Sequence, residues 1–223
     1  MLQAELGQAV QERYVFILVA LAILVIALLG AVYYFYVARR RGRFRLPEQP
    51  RGSIILVEGP IDSRKGVLCY ERLKAELEAG GKVGIISMSP NEHAMWFERN
   101  VSKELMARVK IIEGTQNLTD LGVLVTDALN FGATALYLPL LSVLLVNERL
   151  ENIMEFIRFN AEKTRPRGVT VLFTLDPEIT SKTSVSSIEQ MMDCVVELRT
   201  EGGEFVRVKK LLGGEPETEW KPL

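Results

Sequence analysis

The sequence predicts an α/β domain: a mainly parallel β-sheet with helices on both faces and a C-terminal β-hairpin, preceded by one transmembrane α-helix. Three observations lead to this fold class. The 223-residue chain is 48% hydrophobic and 25% charged, a composition typical of folded proteins rather than disordered or fibrous ones. Short apolar runs rich in β-branched residues alternate with segments of helical periodicity. Finally, residues 14–37 form an apolar run without a charged side chain.

This apolar run predicts a transmembrane helix, which we place at residues 14–38. The uncharged residues would form a helix of about 36 Å, enough to cross a hydrocarbon core of about 30 Å with some tilt. A cleaved signal peptide is disfavoured because the preceding residues are not basic and no small-residue cleavage site follows. The arginines at 39–45 are expected to lie on the cytoplasmic side.

The chain is therefore predicted to be a single-pass protein of the cell membrane. Residues 1–13 form a short extracytoplasmic N-terminus, and residues 39–52 form a basic juxtamembrane linker. Residues 53–223 form a cytoplasmic domain. Residues 52–223 carry 20 basic and 25 acidic side chains, so they are net acidic. A nucleic-acid partner is not expected, because such partners require a basic surface.

The elements of the domain follow in chain order. Each predicted strand is a short apolar run, and glycine or proline ends several of the helices, as at Gly80-Gly81, Gly132 and Pro166. The predicted strands are 53–58, 83–87, 109–113, 133–138 and 169–175, and the predicted helices are 67–79, 91–109, 118–131, 142–163 and 184–192. Residues 194–198 and 204–210 are predicted to form the hairpin around Gly202-Gly203.

Few residues of the chain are suited to metal or nucleophilic chemistry. Cys69 and Cys194 each lie within an apolar pattern and are expected to be small buried residues. The single histidine, His93, is predicted to lie on the surface of a helix. No pair or cluster has metal-ligand spacing, so no metal site is predicted.

The turn at residues 59–66 is the first candidate site, because ligands of parallel sheets bind at the carboxyl ends of the strands. It lies between a strand and a helix, as the phosphate loop G-x-x-x-x-G-K-[ST] does. Gly59 and Lys65 match that pattern, whereas Arg64 replaces its second glycine and Gly66 replaces the hydroxyl residue that holds magnesium. Gly59 and Lys65 are thus the candidate cofactor-binding residues. Lys65 would attract a phosphate at the helix N-terminus, or it is simply a solvated lysine.

Two longer segments extend this pattern. The first, LVEGPIDSRKGVLCYERLKAELEAGGKVGIIS, resembles the opening of the KaiC-type, RecA-like ATPases, with a strand, a phosphate loop, a helix and a second strand in that order. The second, VVELRTEGGEFVRVKKLLGGEPETEW, resembles the terminal hairpin of the same family. The resemblance covers roughly residues 53–220 and implies a RecA-like domain in which Lys65 stands in place of the phosphate-loop lysine.

The resemblance also implies that the catalytic parts are missing. Ser89 and Pro90 stand where the family carries its catalytic acid. Pro139 stands where the Walker B strand ends in aspartate. In the turn of the hairpin, Lys210 matches the family's lysine and Leu212 replaces its arginine. Since phosphoryl transfer depends on these groups together with the magnesium hydroxyl, we expect a fold retained without catalysis.

The expected function is that of an interaction or scaffold module at the membrane, with a protein partner or self-association, no catalytic residue and no bound cofactor; ATP is disfavoured. Two alternatives stay open. One is a sensor that binds a nucleotide or phosphate without cleaving it. The other is an ATPase with a relocated metal site that uses Asp62, Lys65 and Glu92.

The cleft of such a degenerate site has to be filled by protein. One hypothesis places the Arg64 guanidinium there, paired with Asp62 or Glu92. The alternative is that Arg64 points to water, as most loop arginines do. Residues 139–141 (Pro-Leu-Leu) predict an apolar lining at the end of the neighbouring strand.

Overall fold

The structure, a computed structural model, describes residues 24–30, 44–217 and 219–223. The chain divides into two compact units, Met1–Arg43 and Phe44–Leu223. In the first unit, the described residues 24–30 are helical and exposed. The second unit contains all the strands that the structure describes.

The predicted fold class has to be corrected in one respect, the transmembrane α-helix. Among residues 24–30, 44–217 and 219–223, no helix is long and apolar enough to cross a membrane. Within the predicted span of 14–38, only residues 24–30 are described, and seven helical residues rise about 10 Å, a third of a hydrocarbon core. The other residues of that span lie outside the described part of the chain. The predicted location of the domain on the cytoplasmic face of a membrane stays a prediction.

The second unit is built on one eight-stranded sheet. The strands, in chain order, are β1 (Ile54–Glu58), β2 (Val83–Ser87), β3 (Val109–Glu113), β4 (Ala135–Leu138), β5 (Thr170–Leu175), β6 (Cys194–Arg199), β7 (Phe205–Leu211) and β8 (Lys221–Pro222). Their order across the sheet is β3-β2-β4-β5-β1-β6-β7-β8. The first six strands pair in parallel, whereas β7 and β8 pair antiparallel to their neighbours.

Helices cover both faces of this sheet. They are α1 (Lys65–Glu78), α2 (Pro90–Asn100), α3 (Lys103–Met106), α4 (Leu118–Asn130), α5 (Leu141–Asn147), α6 (Leu150–Thr164) and α7 (Lys182–Met191). Side chains of β1 alternate between two core layers, Ile54 and Leu56 packing with α4 to α7, and Ile55 and Val57 packing with α1 and α2. Leu46, within the residues predicted as a linker, is buried in the second layer.

The α/β class, the mostly parallel sheet and the C-terminal hairpin are thus confirmed, and the fold is compatible with a RecA-like domain. Two predicted helices are broken in the structure. The helix expected at 91–109 ends at Asn100, and the helix expected at 142–163 is interrupted after Asn147. Each asparagine donates its side-chain amide to the carbonyl four residues earlier, at 2.7 and 2.9 Å, and the next residue turns to extended backbone. These local bonds end both helices within a continuous apolar pattern.

Candidate functional site

The loop between β1 and α1 is tied to the sheet at its first residue. The Gly59 amide donates to the Leu175 carbonyl at the end of β5 (3.0 Å). A Cβ atom on Gly59 would lie 2.9 Å from the Leu198 Cβ of β6 and from the Ser63 hydroxyl oxygen. Only glycine leaves enough space between the loop and β6. Packing therefore accounts for the glycine at position 59, which is one of the two predicted cofactor-binding residues.

The second predicted residue, Lys65, is bonded to its own loop. Its Nζ donates to the carbonyl oxygens of Gly59 (2.8 Å) and Pro60 (2.5 Å). The Pro60 carbonyl also accepts from the Ser63 amide (3.1 Å) and hydroxyl (2.7 Å). Three donors of the loop therefore converge on its own carbonyl oxygens, whereas a phosphate requires amide donors that are free to bind it.

Lys65 is half-buried, and burial lowers the pKa of its ammonium group. The nearby carboxylates of Asp176 and Asp62 act in the opposite direction and favour the charged form. The lysine is therefore not a fully solvated side chain but a cation held by two carbonyl oxygens. Its role as a phosphate ligand stays a prediction.

Arg64 does not fill the cleft. Its side chain is half exposed and forms a surface ion pair with Glu204, at 3.5 Å between Nη1 and Oε2. The hypothesis of a guanidinium plug paired with Asp62 or Glu92 is therefore wrong, and the exposed alternative fits. Pro139 is half-buried after β4, and Leu140 and Leu141 are buried in the core rather than lining an open cleft.

Tyr137 of β4 lies beside Gly66, where the phosphate-loop pattern has its hydroxyl residue. Its hydroxyl oxygen would lie 3.8 Å from a Cβ atom at Gly66. The phenol is buried, which raises its pKa well above the ordinary value, and it forms side-chain hydrogen bonds with Thr174 and Cys69. A protonated phenol therefore lies next to this position. In the sequence, this role was indicated only by the tyrosine hydroxyl, the one polar group among the side chains of the otherwise aliphatic strand ALYL.

Asp176 is the acidic residue that the sequence analysis missed. It follows β5 directly and is only 6% exposed. Its Oδ1 accepts a hydrogen bond from the Glu178 amide (3.0 Å), and its own amide donates to the Ser142 hydroxyl (2.9 Å). An aspartate after a buried strand was visible in the sequence, but the resemblance directed attention to the end of β4. The carboxylate with the largest charge effect on Lys65 thus follows β5.

His93 is buried, with 5% of its surface exposed, so its predicted place on a helix surface is wrong. Its Nδ1 lies 2.6 Å from the Tyr70 hydroxyl, and its Nε2 lies 2.6 Å from the hydroxyl of Ser87, the last residue of β2. Burial lowers the pKa of this imidazole. The Ser87 oxygen also accepts from the Ser89 amide (3.1 Å). The chain of polar groups fastens α2 to the end of β2.

A second buried polar cluster lies where β1 meets the loop. Glu58 is 1% exposed, and Lys209 of β7 donates from its Nζ to Glu58 (2.7 Å) and to Glu189 of α7 (2.5 Å). Burial is the main reason that the pKa of Glu58 rises to about 7. The other carboxylate oxygen of Glu58 is buried and has no hydrogen-bond partner in the part of the chain that the structure describes.

A β-bulge directs two consecutive lysines into this region. Val195 pairs with Lys210 and Val196 pairs with Val208, so Lys209 is the extra residue of β7. The Lys210 ammonium then donates to the carbonyl oxygens of Glu189 (3.2 Å) and of the next residue (2.9 Å), at the end of α7. Lys210, the residue that stands in place of the lysine of the hairpin turn, thus binds carbonyl oxygens of its own chain.

Other candidates for chemistry are sparse. In residues 24–30, 44–217 and 219–223, no group of three or more His, Cys, Asp or Glu side chains is arranged to hold a metal ion. Cys69 and Cys194 are buried free thiols, as predicted, and burial raises the pKa of Cys194 to about 12. Neither thiol is therefore a ready nucleophile.

No protein-family model matches the chain, and no curated protein matches it at a significant level. The similarity to KaiC-type ATPases that residues 53–220 suggest therefore stays a prediction.

Proposed function

We propose that the second unit is a non-catalytic interaction or scaffold domain with RecA-like architecture. The observation that carries this proposal is the self-bonded loop, in which Lys65 donates to the carbonyl oxygens of Gly59 and Pro60. A nucleotide phosphate would have to displace this lysine and turn the loop so that its amides face inward. Such a change costs at least the two hydrogen bonds that the ammonium makes now.

The surroundings of the loop support the same proposal. Gly66 has no hydroxyl for a metal, and the phenol of Tyr137 occupies the adjacent space. The end of β4 carries Pro139 rather than a metal-binding acid. The partner that we propose is another protein or further copies of this chain.

Calorimetric titration of the full chain with ATP, with and without magnesium, tests the proposal. We expect no heat of binding at micromolar nucleotide in either condition. The control is Lys65→Ala, which removes the cation of the loop. Magnesium-independent binding that is lost in this variant would favour the nucleotide or phosphate sensor. Hydrolysis lost in the same variant would favour an ATPase, and either result would overturn the scaffold.

A further inference from the structure

A groove lies between α4 and α6, on the face of the sheet opposite α1 and α2. Its volume is about 1130 Å³. The two helices run in the same direction, because Gly122 lies against Phe159 while Thr126, four residues later, accepts a hydrogen bond from Lys163 (3.1 Å). The missing side chain at Gly122 leaves space between the helices, and buried Phe156 contributes to the lining.

Apolar side chains line this groove and are open to solvent. Val123 is 63% exposed. Phe159 is 46% exposed, with the Lys163 ammonium over one face of its ring, 4.0 Å from the ring centroid. Large aliphatic and aromatic side chains that face solvent in a groove are typical of binding sites for another protein.

Acidic side chains outnumber basic ones in the lining of the groove, four (Asp127, Glu148, Glu155 and Glu162) to two (Arg158 and Lys163). Three of the four carboxylates have a regular spacing. Glu148, Glu155 and Glu162 are seven residues apart, and all three line the groove. Within α6 this spacing places Glu155 and Glu162 on one face, about 10.5 Å apart. Neither of these two side chains forms an ion pair with any other described residue. Glu148 accepts a hydrogen bond from Asn152 (3.3 Å).

The spacing discriminates between possible partners. In a helix lying along α6, basic side chains every seven residues recur on one face at the same interval of about 10.5 Å. In an extended strand, this interval corresponds to about three residues, and side chains three apart point to opposite faces. A helix is therefore the secondary structure that matches the carboxylates and still turns apolar residues toward Val123 and Phe159.

We propose that the groove between α4 and α6 is the docking site for an α-helix of a protein partner that carries basic side chains at heptad spacing and apolar residues between them. The proposal rests on the proposed function as an interaction domain, and it names the surface and the chemistry of the partner. A helix of about two heptads would match the 15 residues of α6 in length.

The probe for this site is a fluorescein-labelled peptide of about two and a half heptads, with leucine at positions a and d and lysine at e and g. Its binding to the full chain is followed by fluorescence anisotropy. We expect saturable binding that weakens about tenfold in the double variant Glu155→Lys/Glu162→Lys, since two attractive pairs become repulsive. Val123→Ser should also weaken binding, because it removes exposed apolar surface.

The matched control is Glu98→Lys/Glu104→Lys, which reverses two exposed carboxylates on the helices of the other face. We expect this variant to bind like wild type. A second peptide with glutamate in place of lysine should bind the Glu155→Lys/Glu162→Lys variant and not the wild type, which would establish that charge pairing in this groove sets the specificity.

Three results would overturn the proposal. One is the absence of saturable binding, and another is an equal loss in the control variant. The third is a wild-type oligomer, detected by sedimentation velocity, that dissociates in Glu155→Lys/Glu162→Lys, since the occupant would then be a second copy. These failures are distinct from nucleotide binding at the loop, which would contradict the proposed function and leave the peptide result intact.

Discussion

Replacing Glu58 by glutamine tests the cluster at the end of β1. Glu58 is 1% exposed, and one of its oxygens has no hydrogen-bond partner among the described residues. Its pKa rises from the ordinary value of 4.5 to about 7. Because the folded-state pKa exceeds the unfolded one, the stabilising contribution of this group is complete below pH 4.5. It is lost as the pH rises through 7. A shift of this size corresponds to about 3 kcal/mol.

Glutamine resembles the protonated acid and does not titrate. We therefore expect Glu58→Gln to match wild type near pH 4.5 and to be more stable at pH 8 by up to about 3 kcal/mol. The attraction of Lys209 for the carboxylate already lowers the pKa and is included in this balance. Burial outweighs that attraction, so the sign of the effect is opposite to the loss expected on breaking an ordinary salt bridge.

The assay is urea unfolding from pH 4.5 to 8, followed by tryptophan fluorescence. Both tryptophans, Trp96 and Trp220, belong to the second unit. The matched control is Glu113→Gln, which replaces the exposed carboxylate at the end of β3. A variant at Glu58 that is less stable than wild type at pH 8 by more than about 1 kcal/mol would refute the reasoning. The ion pair with Lys209 would then be the dominant interaction.

The remaining predictions concern the loop and the buried histidine. Gly59→Ala should destabilise the second unit by more than about 1 kcal/mol, because its Cβ atom would lie 2.9 Å from that of Leu198. Gly66→Ala lies in a helix, and no other described side chain comes nearer than 3.8 Å to the added Cβ atom, so this variant should be more stable by about 0.5–1 kcal/mol. Thermal unfolding checks both variants, and a stabilised Gly59→Ala or a destabilised Gly66→Ala would contradict the corresponding expectation. His93→Gln should reduce the stability lost below pH 6.5, because burial lowers the pKa of His93 and protonation then favours the unfolded chain. Parallel pH profiles for this variant and wild type would argue against that account.

Local signals in the sequence were sufficient for most elements of the second unit. Val83–Ser87 and Val109–Glu113 are strands with the bounds that were predicted, because each is a short apolar run. Gly80 and Gly132 follow helices with φ of 91° and 87°, a conformation that favours glycine. The breaks after Asn100 and Asn147 were missed, since the apolar pattern continues through them.

The candidate site was predicted in position but not in structure. Gly59 and Lys65 do lie between a strand and a helix, as their spacing indicated. That the lysine binds its own loop depends on backbone angles, which a motif does not contain. Asp176 and Lys65 are far apart in the chain and meet at one edge of the sheet because β1 and β5 are adjacent.

The sequence by itself determined the α/β class, the order of strands and helices, and the absence of phosphate-loop residues at positions 64 and 66. Only the tertiary structure decided which side chains are buried together. Lys209 meets Glu58 across 151 residues, through a β-bulge that no local pattern predicts. The ring nitrogens of buried His93 both find hydroxyl partners, Tyr70 of α1 and Ser87 of β2. Burial and pairing of this kind depend on contacts between distant segments, whereas periodicity and turn chemistry depend on neighbours in the chain.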